Sequence, residues 1–572
     1  MRTAVRFCLL GVCLLAGSAR AAQPVAYVLA PILAADTLQA IGITMSFEGE
    51  SDGETILALP DEWGGEESLW RGLSAFQVQP PSARLSAGAD SAHLAIRHAP
   101  GDRLTVSYRV HQDWPGEPAA GEDNSYRPVV QPGYFHLIGH AIFAVPEWSP
   151  ESPARFRMPV LPESWEFASD LEHGAIDSSL TLGKLRESVL VGGDFRVFRS
   201  AEGAGLRLAI RGQWAFTDAA LYDTLLRIVA SHLKFWGDPD EPFLVTVLPL
   251  VNDLGGSSLG GTGLTDAFAF FGTDNGQEAT LNRILAHEHL HTWIPRRVGG
   301  MPEPDEARDY WFSEGFTDFY TFRLLVRDGI WSIDDFVAAT NEVLERYAAS
   351  PERTAPNSRI LEDFWASRDI QDLPYQRGFL MAMTWDDRLR RLTGGVGDLD
   401  DVMHAMKRGA EARGSAGDSL VATDRLRLAL AAAGLDPTQD LEQLVEQGNA
   451  ILLPADLFGP NAVVETVDRP EFTRGFDSGA TNAANGVVSG VDPAGPAWAA
   501  GLRNGMTIVK REAGKPGDSR VELVYLVKDG GVEKRIRYLP EGKKRHVTQN
   551  IVPVARLDEA GRRALARRLG GE

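Results

Sequence analysis

Cysteine is nearly absent from this 572-residue chain, and both of its cysteines, Cys8 and Cys13, lie close to the start. A chain cut after residue 21 contains no thiol, so disulfide bonds, thiol catalysis and thiolate zinc ligands are excluded from it. Val12, which precedes Cys13, is not a small residue, and this argues against a lipid attached to that cysteine.

Long apolar segments are also missing. Residues 7–16 form an apolar run too short to span a bilayer, and no later stretch of about 20 apolar residues exists. Arg2 and Arg6 precede this run and a small-x-small triplet at residues 19–21 follows it, the order of parts in a cleaved secretory signal. We therefore expect a signal peptide over residues 1–21 and an exported protein, periplasmic or secreted, with no stable membrane anchor. An uncleaved anchor is the alternative.

Positive charge is scarce relative to negative charge. Residues 1–21 hold three arginines and no acid, so the remaining chain has 54 basic and 78 acidic residues and a net charge of −24. Such a balance makes nucleic acid and anionic membranes unexpected partners. The oligomeric state is left open by the sequence.

Residues 287–291 read His-Glu-His-Leu-His and form the most informative motif of the chain. Apolar residues recur at helical spacing over residues 279–293, which predicts a helix. On that helix His287 and His291 lie four residues apart and share one face, where two imidazole nitrogens can bind one Zn²⁺. Glu288 then stands beside the metal as the expected general base.

A second predicted helix, over residues 309–326, carries a carboxylate that can complete the site. The 22 residues between His291 and Glu314 are enough for a loop to turn this helix back across the first. Glu314 thus supplies a third metal ligand and leaves a fourth position open, the catalytic arrangement of zinc sites. Asp318, one turn later, is expected to accept the second ring N–H of a histidine ligand, with a solvated surface position as the alternative.

An open zinc site is typical of hydrolases. Zinc polarises a carbonyl and lowers the pKa of a water molecule, while Glu288 can move a proton from that water to a leaving amine. The pattern therefore predicts peptide-bond hydrolysis. The oxyanion of that reaction needs a hydrogen-bond donor. Tyr375, which opens a predicted helix over residues 375–392, is the candidate, and an ordinary half-buried tyrosine is the alternative.

Together these motifs resemble the glycyl aminopeptidase family of gluzincin zinc metallopeptidases, relatives of aminopeptidase N and thermolysin. The resemblance rests on HExxHxW at residues 287–293, WxxEG at residues 311–315, the pair Tyr375 and Gly378, and a PDZ-like tail. It implies a Zn²⁺ cofactor, peptide or protein substrates, a thermolysin-like catalytic domain, and Tyr375 as the tyrosine that stabilises the transition state.

One segment departs from the family pattern. The family carries a Gly-Gly-Leu-Glu-His-like stretch whose carboxylate, in related aminopeptidases, binds the free amine of the substrate. Residues 260–266 here read Gly-Gly-Thr-Gly-Leu-Thr-Asp and contain no Glu. We expect Gly260 and Gly261 to line the substrate cleft and Asp266 to replace the missing carboxylate.

The resemblance favours an aminopeptidase that prefers small N-terminal residues, Gly or Ala. Two alternatives stay open. One is an endopeptidase or epoxide hydrolase on the same zinc scaffold, because substrate choice resides in the cleft walls. The other is a peptide-binding PDZ protein whose hydrolytic site is vestigial.

The chain is expected to fold as a multidomain α+β protein. Short β-type runs at residues 38–47, 104–110 and 134–145 predict a β-rich domain over residues 22–205. A mainly helical catalytic domain follows over residues 206–460, then a PDZ-like domain over residues 470–546 and a tail over residues 547–572. PDZ domains bind extended peptides by strand addition. Residues 472–476 are the candidate carboxylate-binding loop, with a purely packing role for this domain as the alternative. Residues 562–568 are expected to form a solvated helix end.

Overall fold

The computed structural model describes residues 23–571 except residues 122–123, 125, 158–159, 173–179, 201–204, 253–257, 277, 303–304, 414–419 and 555–556. The expected signal peptide lies outside the described residues. Within them, no helix combines the length and apolar character needed to cross a membrane.

The N-terminal region is built from strands that form three sheets, in the orders β11-β1-β2-β7-β4, β10-β3-β6-β5 and β12-β13-β9-β8. In chain order the strands are β1 Val25–Ala34, β2 Thr37–Glu48, β3 Glu54–Ala58, β4 Leu73–Gln79, β5 Arg84–Ala87, β6 His93–Arg97, β7 Arg103–Val110, β8 Val129–Gln131, β9 Tyr134–Ile138, β10 Val145–Pro146, β11 Ala154–Arg157, β12 Glu166–Ser169 and β13 Val189–Gly193. Alternate residues of β2 and β7 are buried, as expected for strands with one face on a core.

The predicted strand at residues 134–145 is interrupted in the structure. Strand β9 ends at Ile138, and a helical turn, Gly139–Ile142, separates it from β10. Gly139 packs so closely on the backbone of Leu185 that an added Cβ would lie 2.3 Å from its carbonyl oxygen. The apolar run over residues 134–145 predicted a single strand. The close contact at Gly139 is made with a segment more than 40 residues later in the chain, so the local pattern could not reveal it.

A mixed five-stranded sheet follows, and its edge strand β17, Leu259–Gly263, lines a cavity that is described below. Its strands are β14 Arg196–Arg199, β15 Leu206–Ile210, β16 Phe243–Pro249, β17 Leu259–Gly263 and β18 Ala267–Gly272, in the order β14-β15-β16-β18-β17. Strand β14 pairs with β15, so the sheet extends across the expected boundary at residue 205. Helix α1, Asp218–Trp236, connects β15 to its parallel neighbour β16. Strand β17 lies at the edge, antiparallel to β18.

The catalytic region continues as a group of helices around one large apolar core. These are α2 Glu278–Leu290, α3 Tyr310–Arg327, α4 Ile333–Ala349, α5 Asn357–Asp363, α6 Arg368–Leu392, α7 Leu399–Arg413 and α8 Ala422–Ala432. Helices α3 and α6 approach closely, since a Cβ added at Gly315 would lie 2.4 Å from Gly378 Cα. Glycine at both positions lets the two backbones touch.

The first and last strands of the C-terminal region pair with each other as a long antiparallel ribbon. Strand β19, Ala462–Phe472, pairs with β23, Glu541–Pro553. Between them lie helical turns Ser478–Ala483 and Pro496–Ala499 and a sheet of β20 Thr507–Ala513, β21 Leu523–Asp529 and β22 Val532–Tyr538. These elements share their own small apolar core.

The last helix, α9 Glu559–Gly570, has one solvated face, as expected for residues 562–568, and one face packed on the protein. Leu565 and Leu569 are buried against the catalytic core. Arg568 lies 2.7 Å from an Asp386 carboxylate oxygen and 3.0 Å from one of Asp387, both on α6. Arg562, Arg563 and Arg567 are exposed, as expected. Arg568 differs because the two acids that pair with it lie about 180 residues earlier in the chain.

The contact between α3 and α6 leads to a stability prediction. A Cβ at Gly378 would lie 1.6 Å from the Trp311 carbonyl oxygen, so Gly378→Ala must push the helices apart. We expect it to lower the free energy of unfolding by about 2–3 kcal/mol. Urea unfolding followed by tryptophan fluorescence measures this.

Gly409→Ala in α7 is the matched control, since an added Cβ there meets only Arg425 Nη1 at 3.8 Å. It is expected to leave stability unchanged or to raise it by up to about 1 kcal/mol. Equal unfolding midpoints for the two variants would contradict the proposed backbone contact.

Candidate metal centre

Helix α2 brings the two histidines of the motif to one face. It ends at Leu290, and His291 follows in a turn whose N–H donates to the Glu288 carbonyl oxygen at 3.2 Å. Residues 279–293 were expected to be helical throughout, so the helix is shorter at its C-terminal end. Pro295 lies just beyond and cannot donate the backbone hydrogen bond that would continue the helix.

Three side-chain atoms converge on one point. His287 Nε2 lies 3.1 Å from His291 Nε2 and 3.1 Å from Glu314 Oε2. His291 Nε2 lies 3.4 Å from the same Glu314 oxygen. Within the described residues, these three side chains form a group able to hold a metal ion, with one ligand atom from each within 4.8 Å of the others.

Hydrogen bonds to the second ring nitrogen of each histidine orient the rings. His287 Nδ1–H donates to Asp318 Oδ1 at 2.9 Å, and His291 Nδ1–H donates to the Ile294 carbonyl oxygen at 2.8 Å. Because Nδ1 is the donor in each ring, Nε2 is left unprotonated and free to bind a metal. The carbonyl of Ile294 was not identified from the sequence, since a backbone acceptor leaves no motif.

Asp318 is itself held by a second partner. Arg283 on α2 lies 3.3 Å from Asp318 Oδ2. Burial acts to raise the pKa of Asp318, but the charges of Arg283 and His287 outweigh it and lower that pKa. The carboxylate therefore stays ionised beside His287. Arg283 was also missed in the sequence, although it lies one helical turn before His287.

The residues present fit zinc. Two imidazole nitrogens and one carboxylate oxygen are the donor types that Zn²⁺ prefers, and three protein ligands leave one position for solvent or substrate. His287 is only 7% exposed, so the centre is largely shielded from bulk water.

Glu288 lies between this centre and the edge strand β17. A Cβ added at Gly263 would lie 3.0 Å from Glu288 Oε2. Burial raises the pKa of Glu288, while the neighbouring histidines partly offset this. A carboxylate with a raised pKa is better suited to accept a proton from water at neutral pH.

Tyr375 completes the group from α6. That helix begins at Arg368 and not at Tyr375 as expected, so the tyrosine lies within the helix and not at its start. Its ring is 5.9 Å from the His287 ring at an angle of 23°. Burial and the nearby carboxylates, Glu314 first among them, raise the pKa of Tyr375 well above its ordinary value. The hydroxyl thus remains protonated and able to donate.

A cavity of about 590 Å³ opens beside β17. Gly260 and Gly261 form one wall, and Glu62 and Glu67 of the N-terminal region lie in another. Tyr126 also lines it and connects the two regions, since its hydroxyl donates to the Gly261 carbonyl oxygen at 2.8 Å. The cavity therefore combines residues from both the β-rich region and the catalytic region. The metal ligands, Glu288 and Tyr375 do not line it, and its link to them is β17, whose Gly263 end lies against Glu288.

Asp266 is not brought to this cleft. It lies 3.8 Å from Lys184 Nζ and lines a separate small cavity with His289 and Trp293. His289 is two residues from each histidine ligand and so points to the other side of α2. The structure places Asp266 apart from the metal ligands, and its expected contact with a substrate amine has no support there.

The fold and this centre define a hydrolytic zinc metallopeptidase. Residues 280–363 match the model of the M61 glycyl aminopeptidase family, which confirms the family resemblance over the metal site and implies peptide substrates.

A solved structure shows the same fold. The chain is similar to an aminopeptidase N family protein from Idiomarina loihiensis, with 16% sequence identity and a TM-score of 0.67 over 95% of this chain and 100% of that one. It is also similar to an M1 zinc metallopeptidase from Deinococcus radiodurans, with 17% identity and a TM-score of 0.46 over 76% of this chain and 95% of that one. No curated protein matches the chain in sequence.

The hydrogen bond from His287 to Asp318 leads to a prediction about metal affinity. Asp318→Asn removes the charge that orients and polarises the ligand ring, so we expect zinc to bind about 10- to 100-fold more weakly. Competition with a chromogenic chelator measures the dissociation constant. Asp334→Asn, an exposed position at the start of α4, serves as the control. Equal zinc affinity in the two variants would show that Asp318 does not support the ligand.

Proposed function

We propose that the protein is an exported zinc aminopeptidase that removes small N-terminal residues, Gly or Ala, from peptides. The observation that carries the proposal is the convergence of His287, His291 and Glu314 with Glu288 and Tyr375 beside them. Every role that metal-assisted peptide hydrolysis requires is filled by a residue of this cluster.

Each residue of the cluster has a separate role in the hydrolysis of the peptide bond. When bound, zinc polarises the scissile carbonyl and acidifies a water molecule. Glu288 accepts the proton of the attacking water and passes it to the leaving amine. Tyr375 donates its hydroxyl hydrogen to the oxygen that becomes negative as the carbonyl carbon turns tetrahedral. Asp318 holds the His287 ring in place throughout.

Recognition of a free amine needs a carboxylate near the cleft, because burying an unpaired ammonium group is costly. With Asp266 apart from the metal ligands, Glu62 and Glu67 are the carboxylates that the cavity offers. Glu66, beside them, already pairs with Arg127 at 2.9 Å. We propose that Glu62 and Glu67 attract the amine end of the peptide.

Endopeptidase activity is the second candidate function. Gly263 is the residue of β17 that lies against Glu288, and it has no side chain to contact or exclude a substrate residue. A peptide could therefore continue past the reacting bond at this point of the strand.

The C-terminal region is proposed to be PDZ-like, on the basis of its small sheet and its separate core. Its expected carboxylate-binding loop, residues 472–476, has two of its amides engaged. Thr473 N–H donates to the Pro540 carbonyl oxygen at 2.8 Å, and Gly475 N–H donates to the Thr473 hydroxyl at 3.0 Å. These bonds favour a packing role over capture of a peptide carboxylate.

Export is proposed from the sequence of residues 1–21 alone. A basic start, a short apolar core and a small-x-small site are together typical of a cleaved signal. The absence of cysteine after residue 13 is compatible with an oxidising compartment.

The function is tested with Gly-, Ala- and Leu-anilides beside their amino-blocked forms, on protein cut after residue 21 with its zinc content measured. We expect hydrolysis of the unblocked Gly and Ala substrates. Glu288→Gln should retain zinc yet lose about 10²- to 10⁴-fold in kcat, because an amide cannot accept the proton.

The outcomes separate the candidates. Equal cleavage of blocked and unblocked substrates would favour the endopeptidase. Full activity in zinc-loaded Glu288→Gln protein would show that another residue is the base.

Tyr375→Phe tests the oxyanion donor. Because the hydroxyl bond forms in the transition state, we expect kcat to fall about 10²-fold with little change in KM. Tyr320→Phe is the matched control, since this buried hydroxyl on α3 has no hydrogen-bond partner within the described residues. A raised KM with normal kcat in Tyr375→Phe would instead make Tyr375 a substrate-binding residue.

A further inference from the structure

The open edge of β17 presents a defined set of backbone groups. Leu264 N–H donates to the Ala267 carbonyl oxygen at 2.8 Å and closes the hairpin between β17 and β18. Hydrogen-bonding groups alternate in direction along an antiparallel strand. Thr262 and Leu264 therefore face β18, whereas Gly261 and Gly263 direct their N–H and carbonyl groups away from it, towards the cleft.

One of these outward groups is already occupied by a distant residue. The Tyr126 hydroxyl donates to the Gly261 carbonyl oxygen at 2.8 Å, across 135 positions of sequence. Among the described residues, none donates a hydrogen bond to the carbonyl oxygen of Gly263. A peptide that pairs with this edge thus finds Gly263 open and meets Tyr126 at Gly261.

Packing holds the Tyr126 ring in that position. The ring lies edge-on to Phe271 of β18, with centroids 5.8 Å apart and an interplanar angle of 77°. Gly64 covers it closely, because a Cβ there would lie 2.6 Å from a ring carbon. Burial, followed by the charges of Glu288 and Glu66, raises the pKa of Tyr126 to about 12. The hydroxyl therefore stays protonated and continues to donate.

Strand β17 needs such a support. Three of its five residues are glycines, which have the greatest conformational freedom of any residue and offer no side chains for packing. Its Gly263 end lies against Glu288. The hydrogen bond from Tyr126 to Gly261 fixes the strand two residues before Gly263, the residue that lies against Glu288.

We propose that Tyr126 is a positioning residue that holds β17 beside Glu288 and ends the backbone pairing of the peptide substrate at Gly261. The second half of this proposal rests on the peptidase function proposed above. Tyr126 belongs to the N-terminal β-rich region, so that region sets how much of a peptide the catalytic strand can bind. A peptide with more residues on the Gly261 side of the reacting bond gains no further strand pairing.

The test compares Tyr126→Phe with the unmutated chain, both zinc-loaded. This variant keeps the ring and its packing and removes only the hydroxyl. Tyr134→Phe is the matched control, because that buried hydroxyl in the neighbouring sheet has no hydrogen-bond partner among the described residues. Deuterium exchange of residues 258–264 reports the strand, and kcat/KM for two- and six-residue alanine peptides reports substrate pairing.

We expect exchange over residues 258–264 to become several-fold faster in Tyr126→Phe and to stay unchanged in Tyr134→Phe. The freed carbonyl should favour the longer peptide, so the ratio of kcat/KM for the longer to the shorter peptide should rise about fivefold, the effect of one net hydrogen bond. Exchange equal to that of the unmutated chain would overturn the positioning role.

An unchanged length ratio in active Tyr126→Phe enzyme would overturn the limit on substrate pairing. If the unmutated, zinc-loaded chain cleaves neither peptide, the peptidase function itself fails, and the exchange measurement still decides whether Tyr126 holds the strand.

Discussion

The backbone contact between Gly315 and Gly378 is the constraint on which the catalytic arrangement depends. Glu314 precedes the first glycine, and Tyr375 lies three residues before the second, one helical turn away. Because the two helices touch at these glycines, the third metal ligand, Glu314, and the proposed oxyanion donor, Tyr375, are fixed relative to each other. Larger residues at these positions would push α3 away from α6 and so move Glu314 relative to Tyr375.

The far end of α3 is held by charge as well as by packing in the apolar core. Arg323 is fully buried and pairs with Asp386, Asp398 and Asp400 at 2.9–3.1 Å. Arg568 of α9 joins the same group through Asp386. A buried network of this kind is costly to break, since removing one partner leaves an uncompensated charge. The C-terminal helix thereby becomes part of the support for α3, the helix that carries Glu314.

Local motifs predicted the metal ligands well because their geometry is set within single helices. His287 and His291 lie four residues apart where α2 passes into its terminal turn, and Asp318 follows Glu314 by one turn of α3. The two helices that carry them were also predictable from apolar spacing, with errors confined to their ends.

The remaining parts of the cleft could not be predicted in this way. Tyr126, Glu62 and Glu67 come from a region more than 150 residues before the zinc motif and carry no pattern that relates them to it. Asp266 follows the glycine segment closely in sequence, yet it lines a separate small cavity and lies 3.8 Å from Lys184 Nζ. The ion pairs of Arg568 could not be predicted for a similar reason, because its acidic partners are brought close only by tertiary packing.

Anomalous diffraction at the zinc absorption edge, on crystals of protein grown with zinc, tests the central claim most directly. The account predicts one strong peak at a distance of about 2.0–2.2 Å from His287 Nε2, His291 Nε2 and an oxygen of Glu314. A peak elsewhere, or none at this point in protein that contains stoichiometric zinc, would contradict it.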